Sequence, residues 1–367
     1  MSRELFFLDR VWLGALAVVV FVATVNGQGG TAPSEANHFI GTPAGWVHPT
    51  TPWDDPDLQG MWPISFVGSV PLERCTGGGR GRPGGPPAPP CDPSKAFLTE
   101  QEYQGRLGQA ATQVDRHAAA IAAGNFGQAL QSGVTDPTFP QRQMSLIMDP
   151  PNGKLPELTP EGKRLSALMR SSWALNQEER QAWDAPEDFD SWDRCITRGM
   201  PASMFPFRYN NGVQIMQVPG YVILNMEMIH EARVIPVDGR PAISPAIKQW
   251  MGESRGHWEG NTLVIVTTNF KPGASMTNIG VLGSPAGNRI PTSEKMTITE
   301  RITRLNNDYL LYAITTEDPV VLTRPWTGRF PLKLDPKYEW WEYACHEGNR
   351  TIRDYINASR AERAKAP

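Results

Sequence analysis

A chain of 367 residues with 40% hydrophobic residues is long enough for one large domain, or one domain with an extension. Its formal net charge of −3, without a stripe of lysine and arginine, argues against nucleic acid as a partner. The sequence lacks a nucleophile elbow, a phosphate-binding loop, a dinucleotide fingerprint, a zinc-protease motif and an EF-hand loop. The sequence therefore lacks the motifs expected of enzymes that catalyse serine hydrolysis, phosphoryl transfer or hydride transfer.

An apolar run from Val11 to Val25 has the length of a signal-peptide core and follows Arg10. We expect a signal peptide over residues 1–27 and cleavage near Gly27. The mature protein would then be secreted or periplasmic, with no stable membrane insertion. An uncleaved anchor is the alternative, but the run is short against the roughly 20 residues that span a bilayer.

Four cysteines occur in the chain, and an even number in an exported protein favours disulfides. Among the three pairings we favour Cys75–Cys91, which would close the Gly/Pro-rich segment 76–94, and Cys195–Cys345, which would join the two ends of a β-rich region. A catalytic cysteine is the alternative, but neither Cys195 nor Cys345 stands in a nucleophile motif. No CxxC or HxH spacing indicates a zinc site.

Residues 28–195 are predicted to form an extended arm, the Gly/Pro-rich loop and helices that pack on the rest of the protein. A capping box at Thr99–Glu102 begins a helix that runs to about Ala123. A second helix has Thr159 as its N-cap and a proline at its first position, and runs to about Trp173.

The period of the apolar pattern changes to two over residues 196–350, which predicts short antiparallel strands. Between Val222 and Val234, for example, the even positions carry apolar residues and His230. We count eight or nine strands and assign residues 351–367 to a C-terminal tail. That number suits a closed up-and-down β-barrel or a strongly bent sheet, which removes exposed edges; a sandwich is the alternative.

The clearest hairpin in this region covers residues 254–270 and turns at Gly260-Asn261, a dipeptide that tolerates positive φ. In this register Trp258 lies opposite Leu263, and His257 lies opposite the residue that follows Leu263. The hairpin thus brings a tryptophan and a histidine into the β-rich region.

Ionisable side chains on apolar strand faces are the candidates for catalysis. His230 and Glu300 both lie on such faces in the pattern, and a buried carboxylate requires a partner. The candidate partners are Arg233, Arg240, Arg255, Arg301 and Arg324. We expect a catalytic set of His230, His257, Glu300 and Arg301 around the barrel interior, acting by general acid–base chemistry without a cofactor. The alternatives are a core histidine with a structural ion pair, and a metal site built from histidines.

Aromatic residues with polar tips are typical of the mouth of a ligand cavity, and an arginine beside a tryptophan can stack or bind a carboxylate. On this basis the predicted substrate-binding residues are Arg324, Trp326, Tyr343, Trp258 and Met228. The alternative places the aromatic residues in an ordinary core and pairs Arg324 with Asp318.

Five motifs follow one another in a fixed order: RCITRG from Arg194, MIHEAR from Met228, RGHWEG from Arg255, TRPW from Thr323 and YACHEGN from Tyr343. Through them, residues 145–350 resemble a large and mostly uncharacterised family of exported bacterial proteins. The resemblance implies a lipocalin-like (calycin-type) β-barrel. It implies no catalytic assignment.

Together these patterns predict an exported barrel that binds a small, largely apolar organic molecule. Without metal or nucleotide, the candidate residues support proton transfer, as in an isomerase, a dehydratase (lyase) or a cyclase. One alternative is a ligand carrier without turnover. Another is an envelope interaction module that uses the N-terminal arm and the segment 76–94.

Overall fold

The computed structural model describes residues 40–75, 91–125, 141–172, 182–207, 209–277, 284–285 and 290–365. All of these residues belong to one structural unit that extends from Glu35 to Pro367. The signal peptide predicted over residues 1–27 lies outside the described residues, as does most of the segment 76–94.

The described part of the chain contains ten strands and three α-helices. The strands are β1 (Gly60–Met61), β2 (Ile147–Asp149), β3 (Val213–Val218), β4 (Tyr221–Met226), β5 (Glu231–Pro236), β6 (Glu253–Glu259), β7 (Thr262–Thr268), β8 (Thr297–Arg304), β9 (Tyr309–Glu317) and β10 (Trp326–Lys333). The helices are α1 (Glu100–Ala122), α2 (Pro160–Leu168) and α3 (Thr351–Ala364).

The strands form two antiparallel sheets, so the protein is mainly β as expected. One sheet has the order β1-β3-β4-β5 and the other has the order β2-β10-β9-β8-β7-β6. Strands β3 to β10 follow one another in space as they do along the chain, except at the step from β5 to β6. Within the described residues no backbone ladder joins β5 to β6 or β10 to β3, so a closed barrel is not found.

The region before Cys195 extends both sheets in addition to supplying helices. Strand β1 pairs with β3, and β2 pairs with β10. Strand β1 also narrows the gap between β3 and β10, because Met61 O accepts a hydrogen bond of 2.9 Å from Asp335 N just after β10.

Both predicted helix starts are confirmed. At α1, Glu102 N donates to Thr99 Oγ1 at 3.3 Å and Thr99 N donates to the Glu102 carboxylate at 2.8 Å, which is the reciprocal pattern of a capping box. At α2, Thr159 Oγ1 accepts from Gly162 N at 2.9 Å. Helix α2 ends at Leu168, before the expected Trp173, and the predicted tail contains α3.

Both favoured disulfides are present, Cys75–Cys91 and Cys195–Cys345. The second disulfide ties the chain before β3 to the segment 338–350, which follows β10. This segment is irregular and contains no strand, so the strands end with β10 before the expected limit at residue 350. Among the described helices, none has the length and the apolar character that a bilayer span requires.

The register of the β6–β7 hairpin is as predicted, with Trp258 opposite Leu263 and His257 opposite Val264. The inner faces of the two sheets share one core. The core takes Leu224 and Ile235 from the four-stranded sheet, and Ile265, Ile298 and Phe330 from the six-stranded sheet.

The prediction that the even positions stay on the apolar face as far as Val234 is wrong. A 3₁₀ turn over Met228–His230 separates β4 from β5, and its last two residues have left-handed backbones. The ladder then places Arg233 opposite Leu224, and facing residues share one side of a sheet. The odd positions of β5 are therefore the buried ones, and the Val234 side chain is 58% exposed.

Candidate functional site

A buried ion pair connects the two sheets. Arg233 of β5 donates from Nη1 and Nη2 to the two carboxylate oxygens of Glu300 on β8, at 2.9 and 2.5 Å. The two side chains are only 3% and 0% exposed. The Tyr312 hydroxyl donates a further hydrogen bond to Glu300 at 2.7 Å. Arg233 is thus the arginine partner that the buried carboxylate requires.

The same guanidinium bridges the gap between β5 and β6. Arg233 Nη2 donates to Ser254 Oγ on β6 at 2.9 Å and to Thr267 Oγ1 on β7 at 3.1 Å. Burial lowers the pKa of Arg233, but the Glu300 carboxylate outweighs burial and holds that pKa above its ordinary value. Side-chain hydrogen bonds therefore take the place of a backbone ladder between these strands.

A cleft of about 610 Å³ opens between β5 and β6. Arg233 and Ser254 form part of its wall, together with Glu231 from β5 and Glu253 and Arg255 from β6. The apolar part of the wall comes from Ala232, Val234, Pro236, Ile243, Trp250 and Met251. Such a mixture of apolar surface and a few convergent polar groups is typical of small-molecule sites.

Glu231 is the most perturbed carboxylate of the cleft. Burial raises its pKa to about 7, against the smaller lowering effects of a hydrogen bond from Thr197 Oγ1 and of the charge on Arg233. The Thr197 hydrogen bond measures 2.8 Å. A carboxyl group with this pKa exchanges protons readily near neutral pH, which is the property that a general acid or base needs.

Glu253 and Arg255 form the second polar group of the cleft. They lie two residues apart on β6 and therefore share a face, and Arg255 Nε donates to Glu253 Oε1 at 2.6 Å. Glu253 Oε2 and Arg255 Nη1 are buried and have no hydrogen-bond partner within the described ranges. Within those ranges the pair thus leaves one acceptor and one donor unused.

The predicted catalytic set is not assembled around one interior. Glu300 is fully buried, but the His230 side chain is exposed and its Nδ1 lies 3.1 Å from Tyr343 O. His257 and Arg301 are also exposed, and both contact the exposed Glu259, at 3.2 and 2.7 Å. The left-handed turn removes His230 from the strand, and the side chain of Arg301 points to the opposite side of β8 from Glu300.

The predicted substrate-binding residues also lie in different parts of the structure and do not form one site. Trp326 is fully buried and stacks on Phe205 with ring centroids 5.7 Å apart, so it belongs to the core. Trp258 is half-buried against the same core. Arg324 is exposed and pairs with Asp149 at 3.3 Å rather than with Asp318.

The remaining two substrate-binding residues, Met228 and Tyr343, lie together in a second hydrophobic cluster with Trp192, Phe207 and Ile229. This cluster is separate from the main core. No group of three or more histidine, cysteine, aspartate or glutamate side chains among the described residues is placed to hold a metal ion.

Sequence reasoning did not identify Glu231 and Glu253 as site residues. Glu231 belongs to the MIHEAR motif, where alternation assigned it to the polar face. The signal that identifies Glu231 is the even number of residues between Met226 and Glu231, because this spacing lets the two residues face each other across the turn. Facing residues share one side of a sheet, so Glu231 lies on the buried side, as Met226 does.

No protein-family model, curated protein or solved structure gives a significant match to this chain. The site is therefore defined by its own geometry.

Proposed function

We propose that this protein binds a small organic molecule in the cleft between β5 and β6 and transfers a proton on it with Glu231. The observation that carries the proposal is a carboxyl group with a pKa raised by burial to about 7 in the wall of a cleft of about 610 Å³. The expected reaction class is an isomerisation or a dehydration that needs no cofactor.

The chemistry follows from the two polar groups of the cleft. The Glu231 carboxylate takes a proton from a carbon next to a carbonyl group, and the C–H electron pair moves toward the carbonyl oxygen. Arg255 Nη1, which has no partner, is a donor for that oxygen. Isomerisation is completed when Glu231 returns the proton to another carbon. Dehydration is completed when the C–O bond to a β-hydroxyl group breaks and the leaving hydroxide takes the proton from Glu231, which gives water.

The proposal also includes an exported location for the protein and a lipocalin-like barrel as its fold. Two disulfides suit an oxidising, exported environment, as the predicted signal peptide does. Apart from the step from β5 to β6, the consecutive order of β3 to β10 supports a lipocalin-like barrel that is open between β5 and β6 and between β10 and β3. On this proposal the opening between β5 and β6 is the entrance to the ligand site.

The test begins with native mass spectrometry of the purified protein, to identify a small molecule that remains bound. The isolated molecule is then incubated in D₂O with the wild type, with Glu231→Gln and with Glu259→Gln. We expect deuterium to enter the molecule with the wild type and with Glu259→Gln, whose carboxylate is exposed and outside the cleft. Glu231→Gln should still bind the molecule but exchange at least a hundredfold more slowly.

Two results would contradict the proposal. Equal exchange rates for Glu231→Gln and the wild type would remove Glu231 as the base. Binding without exchange in all three proteins would identify a ligand carrier.

A further inference from the structure

The RCITRG motif supplies a side chain that contacts Glu231. Thr197 belongs to this motif and is fully buried. Its hydroxyl group lies 2.8 Å from Oε2 of Glu231, the first residue of β5. The contact joins two residues that are 34 positions apart in the chain. The motif is thus linked directly to the proposed base of the cleft.

The other contacts of the Thr197 hydroxyl group make it the donor to Glu231. Gly199 N donates to Thr197 Oγ1 at 2.9 Å, so one lone pair of this oxygen is already in use. The single hydroxyl proton then has two acceptors within reach, Glu231 Oε2 and the sulfur of Met251 at 3.0 Å. A carboxylate is a strong acceptor and a thioether sulfur is a weak one. The hydroxyl proton of Thr197 therefore points to Glu231.

The loop that carries Thr197 is fixed on both sides of this residue. Before it, Cys195 forms the disulfide with Cys345. After it, Gly199 has a φ of 78°, and a β-carbon at this position would lie 2.6 Å from Cβ of Ala274. The backbone at Gly199 is therefore packed too closely to shift. Because both neighbours are held, the hydroxyl group keeps one position relative to β5.

The two carboxyl oxygens of Glu231 have different surroundings. Oε2 accepts the hydrogen bond from Thr197, whereas Oε1 has no hydrogen-bond partner among the described residues. Unlike Glu253 Oε2, Glu231 Oε1 is not enclosed by protein. Since Glu231 lines the cleft between β5 and β6, Oε1 is the oxygen that a molecule in the cleft reaches.

We propose that Thr197 is a positioning residue that keeps the transferable proton of Glu231 on Oε1. A hydrogen bond donated to Oε2 lowers the basicity of that oxygen, so the proton taken from a ligand carbon adds to Oε1 and is returned from Oε1. The same bond restrains rotation of the carboxyl group and holds it in one orientation toward the cleft. This inference rests on the proposed function, because it assigns the atom through which Glu231 acts.

The other charged groups around Glu231 keep partners of their own: Arg233 pairs with Glu300, Glu253 pairs with Arg255, and Arg198 lies against the rings of Phe207 and Trp192. Burial raises the pKa of Glu231 to about 7, and the hydrogen bond from Thr197 is the largest effect that lowers this pKa. A change in the pKa when Thr197 loses its hydroxyl group therefore reports on this hydrogen bond.

The experiment compares Thr197→Val, which keeps the shape of the side chain without its hydroxyl group, with Thr197→Ser, which keeps the hydroxyl group. Urea denaturation between pH 5 and pH 9 gives the free energy of unfolding without any ligand. In the wild type the raised pKa makes stability fall with rising pH up to about pH 7. Thr197→Val loses a hydrogen bond to the charged carboxylate, so the upper end of this fall should move up by roughly one pH unit. Thr197→Ser should keep the wild-type profile.

Thr315→Val is the matched control. Thr315 Oγ1 lies 2.9 Å from Thr327 Oγ1, a pair of hydroxyl groups without an ionisable partner. Both valine variants lose a hydroxyl hydrogen bond and should be less stable at every pH. Only Thr197→Val should change the shape of the pH profile.

A measurement on the wild type covers the case in which Thr197→Val does not fold. In protein with isotope-labelled threonine, burial shields the Thr197 hydroxyl proton from exchange with water, so this proton should give an NMR signal. We expect its chemical shift to titrate with Glu231, with a midpoint of about pH 7. A missing signal, or a chemical shift that stays constant between pH 5 and pH 9, would overturn the proposal.

Deuterium exchange then connects Thr197 with turnover. With the molecule isolated from the purified protein, Thr197→Val should still bind but exchange at least about tenfold more slowly than the wild type, and Thr197→Ser should stay within a factor of about 3. An unchanged pH profile or exchange rate in Thr197→Val would overturn this inference and leave the proposed function in place, since Glu231→Gln tests that function separately. No exchange by the wild type would overturn both, whatever the pH profile of Thr197→Val.

Discussion

Arg233 and Glu300 hold together two sheets that share no backbone ladder in the described part of the protein. The ion pair is bidentate, fully enclosed and extended by Tyr312, Ser254 and Thr267. It lies next to the cleft between β5 and β6, because Arg233 and Ser254 also contribute to the cleft wall. The contact that stabilises the fold thus also sets the separation of the two walls of the proposed site.

Removing one member of this pair should destabilise the protein strongly. Arg233→Met leaves the Glu300 carboxylate buried without a cation, and we expect a loss of about 3–5 kcal/mol in the free energy of unfolding. The double variant Arg233→Met, Glu300→Gln should be more stable than Arg233→Met alone. Urea denaturation of the single and double variants measures the coupling.

The control for this experiment is Arg301→Met, which removes the exposed ion pair with Glu259. Its effect should stay below about 1 kcal/mol. A similar effect for Arg301→Met and Arg233→Met would show that the buried pair does not join the sheets.

The raised pKa of Glu231 predicts that stability falls as the pH rises. The folded protein holds the proton up to about pH 7, whereas the unfolded chain releases it near the ordinary value of 4.5. The folded state binds more protons in this interval, so the free energy of unfolding decreases between pH 4.5 and 7 and is level for this group outside it. One pKa unit corresponds to 1.36 kcal/mol, so we expect a loss of about 3 kcal/mol.

Glu231→Gln should remove this decrease, and chemical denaturation at pH 4.5, 5.5, 6.5 and 7.5 would measure it. The variant should be more stable than the wild type at pH 7.5 by about the same 3 kcal/mol. Glu259→Gln should keep the wild-type decrease over this interval, because it leaves Glu231 in place. Parallel pH profiles for Glu231→Gln and the wild type would refute the raised pKa.

The two exposed histidines should not be needed for turnover. His230→Asn and His257→Asn change side chains that lie outside the β5–β6 cleft, so both should keep the wild-type rate of deuterium exchange within a factor of about 2. A hundredfold loss in either variant would restore the sequence-based assignment of a catalytic histidine.

The reversal of the buried face along β5 can be tested with two neighbouring substitutions. Val234→Lys places a charge on an exposed position and should change the free energy of unfolding by about 0.5 kcal/mol or less. Ile235→Lys places the same charge in the core, where Ile235 is fully buried, and should unfold the protein or cost several kcal/mol. Equal effects in thermal or urea unfolding would contradict the observed register.

Some features of this protein could be predicted because they depend on neighbouring residues. The caps of α1 and α2 and the register of the β6–β7 hairpin follow from short stretches of side chains whose hydrogen bonds or turn geometry are local. The need of Glu300 for an arginine follows from the cost of burying a lone carboxylate. The sequence offered five arginines and did not distinguish among them.

What the sequence determined by itself was the mainly antiparallel β fold, the caps, the hairpin register and the presence of a buried carboxylate. Tertiary structure decided that β5 and β6 separate, that Arg233 fills the gap, and that Glu231 rather than His230 lies in the cleft wall. The reason is that alternation specifies a face only along one strand. Across the turn at Met228–His230 the face depends on the backbone conformation and on pairing with β4, which are settled only when distant segments pack together.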